Sequence, residues 1–188
     1  PEGPPGDLGG RRAPDGRSVP QPCNLPGSAC AGPPCSVPCC PDVRPAGTFR
    51  VKAGRLRAVA AFLCDQGGFA PLDALPTGRL RAALLGVHGV GAETADAILV
   101  YVFGRPAFVA DAYARRLFVR LGLVSAGIGY DGLQRVAGAA LPDDAGVAGE
   151  LHALIVAHGK AHCRARPACD GCPLASPCPV PAGGDATA

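Results

Sequence analysis

The sequence predicts an all-α fold that follows a segment without regular structure. Two observations carry the helices. From residue 43 on, apolar residues recur at helical spacing in successive runs, and short Gly- or Pro-bearing connections separate those runs. The third observation is that no stretch alternates apolar and polar residues as a half-buried strand does. The chain has 188 residues, 48% hydrophobic and 18% charged, which is enough apolar material for a core and argues against wholesale disorder. No apolar run approaches the roughly 18 residues of a membrane span, so no membrane association is expected. The N-terminus has no basic region leading into an apolar stretch, so no signal peptide is visible. A chain without Met is expected to be processed or a fragment.

Residues 1–42 hold eleven of the 21 prolines and five of the ten cysteines, and their apolar residues stand isolated. Proline at that density removes backbone donors and blocks helices, so this segment is expected to be irregular and disordered. Its Pro, Gly, Arg, Ala, Ser and Cys content resembles GC-rich DNA translated out of frame. That composition predicts a frameshifted or misassigned leader before Val43.

Helices are expected next over 50–64, 79–85, 92–103 and 112–121, with weaker patterns at 130–140 and 146–158. In the first, Val51, Leu56, Val59, Ala60 and Leu63 share one face, which predicts them to be inward. In the fourth, Leu117 and Leu121 are predicted inward, with Arg115, Arg116 and Arg120 free to face outward. Charge follows the same division: residues 1–42 carry a net of −1 and the rest a net of +4. That excess is mild and does not by itself point to nucleic acid. Cys64, at the end of an apolar helix, is expected to be a buried thiol.

Residues 79–103 are the most informative. A short apolar helix runs into Val87-His88-Gly89-Val90-Gly91, and a second begins near Ala92. Two glycines flanking a valine permit a sharp turn and the close approach of another backbone. The unpaired amides opening the second helix suit a phosphate oxygen, without reading base sequence. An ordinary tight turn between helices has the same glycines. Downstream, Asp111 follows an extended segment and precedes a helix, the position of an N-cap.

Near the C-terminus, Cys163, Cys169, Cys172 and Cys178 form C-x5-C-x2-C-x5-C. Four thiolates this close suit a [4Fe–4S] cluster. They also suit structural zinc, although only one C-x2-C knuckle is present. Disulfides in a secreted protein would require an oxidising compartment, for which there is no signal.

The stretch from Leu85 to Arg116 resembles the helix-hairpin-helix and Gly/Pro-Asp signature of the endonuclease III superfamily of DNA glycosylases. Val87-His88-Gly89-Val90-Gly91 matches L-P-G-V-G, Thr94-Ala95 matches T-A, and Gly104-Arg105-Pro106 with Val109-Ala110-Asp111 matches G-x-P…V-D. Arg44-Pro45-Ala46-Gly47 and Lys52-Ala53 look like a subgroup of that family. The resemblance runs over roughly 43–178. It implies a helical glycosylase domain over 43–162, with the hairpin at 79–103, and a cluster loop over 163–179. It further implies base excision from damaged double-stranded DNA by a monomer in the cytoplasm, at the bacterial nucleoid.

By the same resemblance Asp111 is the catalytic residue, stabilising positive charge on the sugar as the base leaves. Val87, Gly89, Gly91 and Thr94 contact the DNA backbone, joined by Lys160, Arg164 and Arg166 beside the cysteines. Cys163, Cys169, Cys172 and Cys178 ligate a [4Fe–4S] cluster, although the family spacing C-x6-C-x2-C-x5-C is one residue longer in its first loop. Glu93 occupies the position where bifunctional members carry the Schiff-base lysine, which implies a monofunctional enzyme, with alkylated purines as the substrate class. Tyr113 stands where many members have His and is assigned packing only. Members also have an N-terminal segment that completes the helical domain and the base pocket, and nothing in 1–42 resembles it. A truncated, catalytically inactive DNA-binding protein is therefore the alternative expectation.

Overall fold

A computed structural model describes residues 48–180, and the leader expected over 1–42 lies outside the described residues. Among the described residues there are seven helices and no strand. They are α1 (Phe49–Asp65), α2 (Phe69–Asp73), α3 (Thr77–Leu85), α4 (Ala92–Tyr101), α5 (Ala112–Arg120), α6 (Tyr130–Ala139) and α7 (Ala145–Ala161). The chain divides into two compact units, one ending at Leu72 and one beginning at Asp73.

In the first unit, α1 covers the expected helix, but its inward face is different. Ala53 is buried, whereas Val51 and Leu56 are more than half exposed. Val59, Ala60 and Leu63 are only half-buried. The apolar stripe in the sequence is wider than the face that packs, because a period alone does not say which part of the stripe meets a neighbour. Cys64 is half-buried rather than buried. The five-residue α2 was not expected: Gly67 and Gly68 precede it and Pro71 lies within it, so too few residues remain to display a period.

The second unit holds the expected hairpin and the cysteine loop. Its core joins Phe108, Ala110, Ala114, Leu117, Leu133, Ala137 and Ile155 and reaches Cys163. A smaller cluster of Val100, Val109 and Ala148 packs α4 and α7 together beside the extended segment. Side chains start two of the helices. Asp111 accepts from Ala114 N at 2.7 Å to cap α5, and Asp144 accepts from Gly146 N and Val147 N at 2.7 and 3.1 Å to cap α7. Helix α5 ends at Gly122, where φ is +70° and the amides of Gly122 and Leu123 return to the Val119 and Phe118 carbonyls. Helix α7 runs three residues beyond the expected 158, so it delivers the chain directly to Cys163.

Helices α5 and α7 approach closely at Gly159. A Cβ there would lie 2.4 Å from Tyr113 Cδ1, so glycine makes room for the tyrosine ring. The packing role expected of Tyr113 is thus met, and the Arg116 guanidinium lies 5.1 Å from the centre of the same ring.

Candidate active site

The hairpin is built as the sequence suggests. Helix α3 ends at Gly86, and the Val87 and Val90 amides close successive turns onto the Leu84 and Val87 carbonyls at 3.1 and 3.0 Å. Gly89 takes φ +83°, a conformation other residues adopt only at a cost. Val87 and Val90 point into the core, so Val87 anchors the turn with its side chain, while Gly89, Gly91 and Thr94 are exposed. Gly91 is the N-cap of α4 with φ −92° and ψ 178°, and no side chain caps that helix. A Cβ on Gly91 would meet nothing within 4 Å. The fold therefore does not require glycine at 91; what it provides is an open helix end with first-turn amides that no side chain claims. Glu93 is exposed in that first turn.

Behind the hairpin stands a carboxylate that sequence reasoning missed. Asp96 has no exposure, and Arg81 of α3 grips both of its oxygens, Nε to Oδ1 at 2.6 Å and Nη2 to Oδ2 at 3.0 Å. The hydroxyl of Tyr130 donates to Oδ2 at 2.8 Å. The Arg81–Asp96 hydrogen bonds and the charge of Asp96 hold the Arg81 guanidinium above its ordinary range, against the opposing effect of burial. The Tyr130 phenol is pushed far above the usual tyrosine value, first by burial and then by its bond to Asp96. Tyr130 also packs against the core cluster that contains Ala110. One buried polar network thus ties both hairpin helices to α6. A single Asp inside a helical run has the same appearance when solvated, so only the three-dimensional partners reveal it.

Asp111 itself is 8% exposed, at the end of the buried run Phe108-Val109-Ala110. Its Oδ1 is engaged in the α5 cap, and its Oδ2 faces His152 Nε2 of α7 at 3.5 Å. The other ring nitrogen of His152 is 2.6 Å from the Tyr101 hydroxyl of α4. Each carboxylate oxygen keeps a further lone pair beyond these contacts. A sheltered, pre-oriented carboxylate of this kind can stabilise a developing positive charge or accept a proton from water.

The cysteine loop shows the main departure from expectation. Arg120 is not outward but 5% exposed, and it organises the start of the loop. Its Nη1 donates to the Arg164 carbonyl at 2.6 Å and lies 3.3 Å from Cys163 Sγ, while Nη2 donates to the Ala165 carbonyl at 2.9 Å. Arg116 adds a bond from Nε to the Cys163 carbonyl at 2.7 Å, and only Arg115 remains on the exposed side. These partners lie more than 40 positions away, so a helical wheel places Arg120 with the solvated charges. Lys160, Arg164 and Arg166 are exposed.

Cys163, Cys169, Cys172 and Cys178 line one cavity of about 280 Å³, with Leu117, Leu121, His158 and Leu174 on its walls. No disulfide joins cysteines among the described residues. No group of three or more His, Cys, Asp or Glu among them is arranged to hold a single metal ion. The four thiols line one shared volume, and a donor set of four thiolates fits an iron–sulfur cluster.

No protein-family model matches the chain. It is 43% identical over 140 residues to the protein of Methanocaldococcus jannaschii named "Putative DNA repair glycosylase MJ1434", covering 72% of this chain and 63% of that one. It is 29% identical to the endonuclease III of Bacillus subtilis over 140 residues, covering 73% and 59% of the two chains. The structure is similar to those titled a non-covalent endonuclease III–DNA complex and a trapped endonuclease III–DNA covalent intermediate. Each has a TM-score of 0.60 at 27% identity, over 74% of this chain and 62% of the other. The chain belongs to the endonuclease III superfamily of DNA repair glycosylases. It spans about three fifths of the length of the curated relatives it matches. Among the described residues no helix is long and apolar enough to cross a membrane.

Proposed function

We propose that this chain is a monofunctional DNA glycosylase of base excision repair, acting as a monomer on a damaged, alkylated base in duplex DNA in the cytoplasm. The observation that carries the reading is Asp111: a sheltered carboxylate at the start of α5, pre-oriented by its bond from Ala114 N and close to the open glycine hairpin in the chain. The hairpin amides from Gly91 onward, with Gly89, Thr94 and the backbone at Val87, receive phosphate oxygens. Lys160, Arg164 and Arg166 add charge for the same backbone. The base is flipped from the stack. As its bond to the sugar breaks, the bonding electrons leave with the base, and Asp111 stabilises the positive charge left on the sugar. Water then bonds to C1′, and Asp111 accepts its proton. Alkylated purines leave readily because they depart without their positive charge.

Glu93 has no amine with which to attack C1′, so no Schiff base forms and the strand remains intact. Cys163, Cys169, Cys172 and Cys178 would hold a [4Fe–4S] cluster, which supplies a covalent brace for the loop carrying Arg164 and Arg166.

The test uses alkylated duplex DNA. Base release followed by strand cleavage only after alkali, with no borohydride-trapped adduct, is the expected result. A trapped adduct from the natural chain would overturn the monofunctional assignment, and duplex binding without base release would identify a non-catalytic DNA-binding protein. Iron and sulfide in anaerobically purified protein support the cluster; stoichiometric zinc refutes it.

A further inference from the structure

The proposed mechanism leaves one sheltered group beside Asp111 unused. His152 Nε2 is buried, stands 3.5 Å from Asp111 Oδ2, and has no hydrogen-bond partner among the described residues. A buried polar atom without a partner is costly, and its nearest described charge is that carboxylate oxygen. The opposite side of the ring is fixed. Tyr101 OH lies 2.6 Å from Nδ1 and 3.2 Å from the Gly149 carbonyl, and its ring stands 5.8 Å from the imidazole, centre to centre. The Tyr101 ring lies against Gly149, where a Cβ would stand in van der Waals contact with it at 3.4 Å.

The phenol has one proton to give. If it went to Gly149, Nδ1 would carry the imidazole hydrogen and Nε2 would turn a lone pair toward a carboxylate. If it goes to Nδ1, the shorter contact, Nε2 carries the hydrogen and points it at Oδ2. Electrostatics and distance select the second arrangement. Burial, and after it the charge of Asp111, hold the Tyr101 phenol above its usual value, so it remains a donor.

We propose that His152, oriented by Tyr101, is the positioning residue of Asp111, donating from Nε2 to Oδ2 and fixing the carboxylate that meets the sugar. This inference rests on the glycosylase reading for its kinetic consequence, but not for its geometry. The 3.5 Å separation is that of the free protein, and hydrogen bonds of this kind tighten when substrate is bound. Tyr101 (α4), His152 (α7) and Asp111 (the start of α5) come from three elements, so a shift of any one is transmitted to the carboxylate.

Two measurements test it. Nitrogen-15 NMR of the imidazoles is taken at pH 8.5, about two units above the ordinary histidine value. His152 is expected in the Nε2–H form, and Asp111→Ala or Tyr101→Phe is expected to reduce that preference. An Nδ1–H form, or a tautomer ratio indifferent to both substitutions, overturns the proposal whether or not the chain excises any base. Single-turnover excision is the second measurement. His152→Leu is expected to slow base release by about tenfold or more, the worth of one charge-assisted hydrogen bond, with duplex affinity unchanged. His152→Gln, whose amide nitrogen can occupy the Nε2 position, is expected to restore most of the rate. A folded His152→Gln as slow as His152→Leu, or a His152→Leu at full rate, refutes the positioning role. Absence of base release from the natural chain would instead refute the glycosylase reading, and leave the tautomer measurement to decide the geometry.

Discussion

Replacing Gly91 by serine separates what the hairpin does for the fold from what it does for DNA. Gly91 already has the extended backbone of an N-cap, and open space surrounds its missing Cβ. Serine there meets no clash and can hydrogen-bond a first-turn amide of α4. It gains a few tenths of a kcal/mol as a better cap than glycine. Lower entropy of the unfolded chain adds about 0.4–1 kcal/mol. The sum is about 0.7–1.3 kcal/mol of added stability, or roughly 2–6 °C in melting temperature for a domain of this size. The same hydroxyl occupies an amide proposed to receive phosphate, so duplex affinity should fall about tenfold, equivalent to ~1.4 kcal/mol. Thermal unfolding and fluorescence anisotropy with a short duplex measure the two effects on one preparation. Gly89→Ala is the contrast: at φ +83° it costs about 1–2 kcal/mol in the fold itself. A Gly91→Ser chain that is more stable and binds DNA normally would refute the claim that the α4 amides hold phosphate.

Other outcomes follow from the buried contacts. Arg81→Met leaves the fully buried Asp96 without its cationic partner and should cost about 3 kcal/mol or more in urea unfolding. Gly159→Ala would usually help a helix by about 1 kcal/mol, but here Cβ meets Tyr113 at 2.4 Å, so a net loss of about 1–2 kcal/mol is expected. Tyr130→Ala in the same assay would confuse packing with charge, so Tyr130→Phe is the informative change for pH. The native fold holds the Tyr130 proton more tightly than the unfolded chain does. Its contribution is therefore complete below the unfolded value of about 10 and is lost as pH rises above it. Tyr130→Phe should flatten the fall in stability above pH ~10, measured by urea unfolding at several alkaline pH values.

The parts legible in the sequence are those set by neighbours along the chain. The hairpin glycines, the N-cap position of Asp111 and the cysteine spacing are local patterns, and each determines its own backbone shape. Arg120 and Asp96 were not legible, because their partners lie 43–45 and 15–34 positions away. Before those partners are known, a buried Arg and a solvated Arg occupy the same turn of a helical wheel. His152 shows the same limit: nothing near it in sequence marks it, and its meaning comes from Tyr101 and Asp111 on other elements. The α1 stripe failed in the opposite sense, since Val51 and Leu56 have the right period but remain exposed.

The central claim is that Asp111 makes a folded helix cap into a base-excising site. Single-turnover release of an alkylated base, compared between the natural chain and Asp111→Asn, tests it most directly. Asparagine can still cap α5 but carries no charge, so the fold and duplex affinity should be retained while base release falls by about a hundredfold or more. Equal rates in the two proteins would contradict the claim.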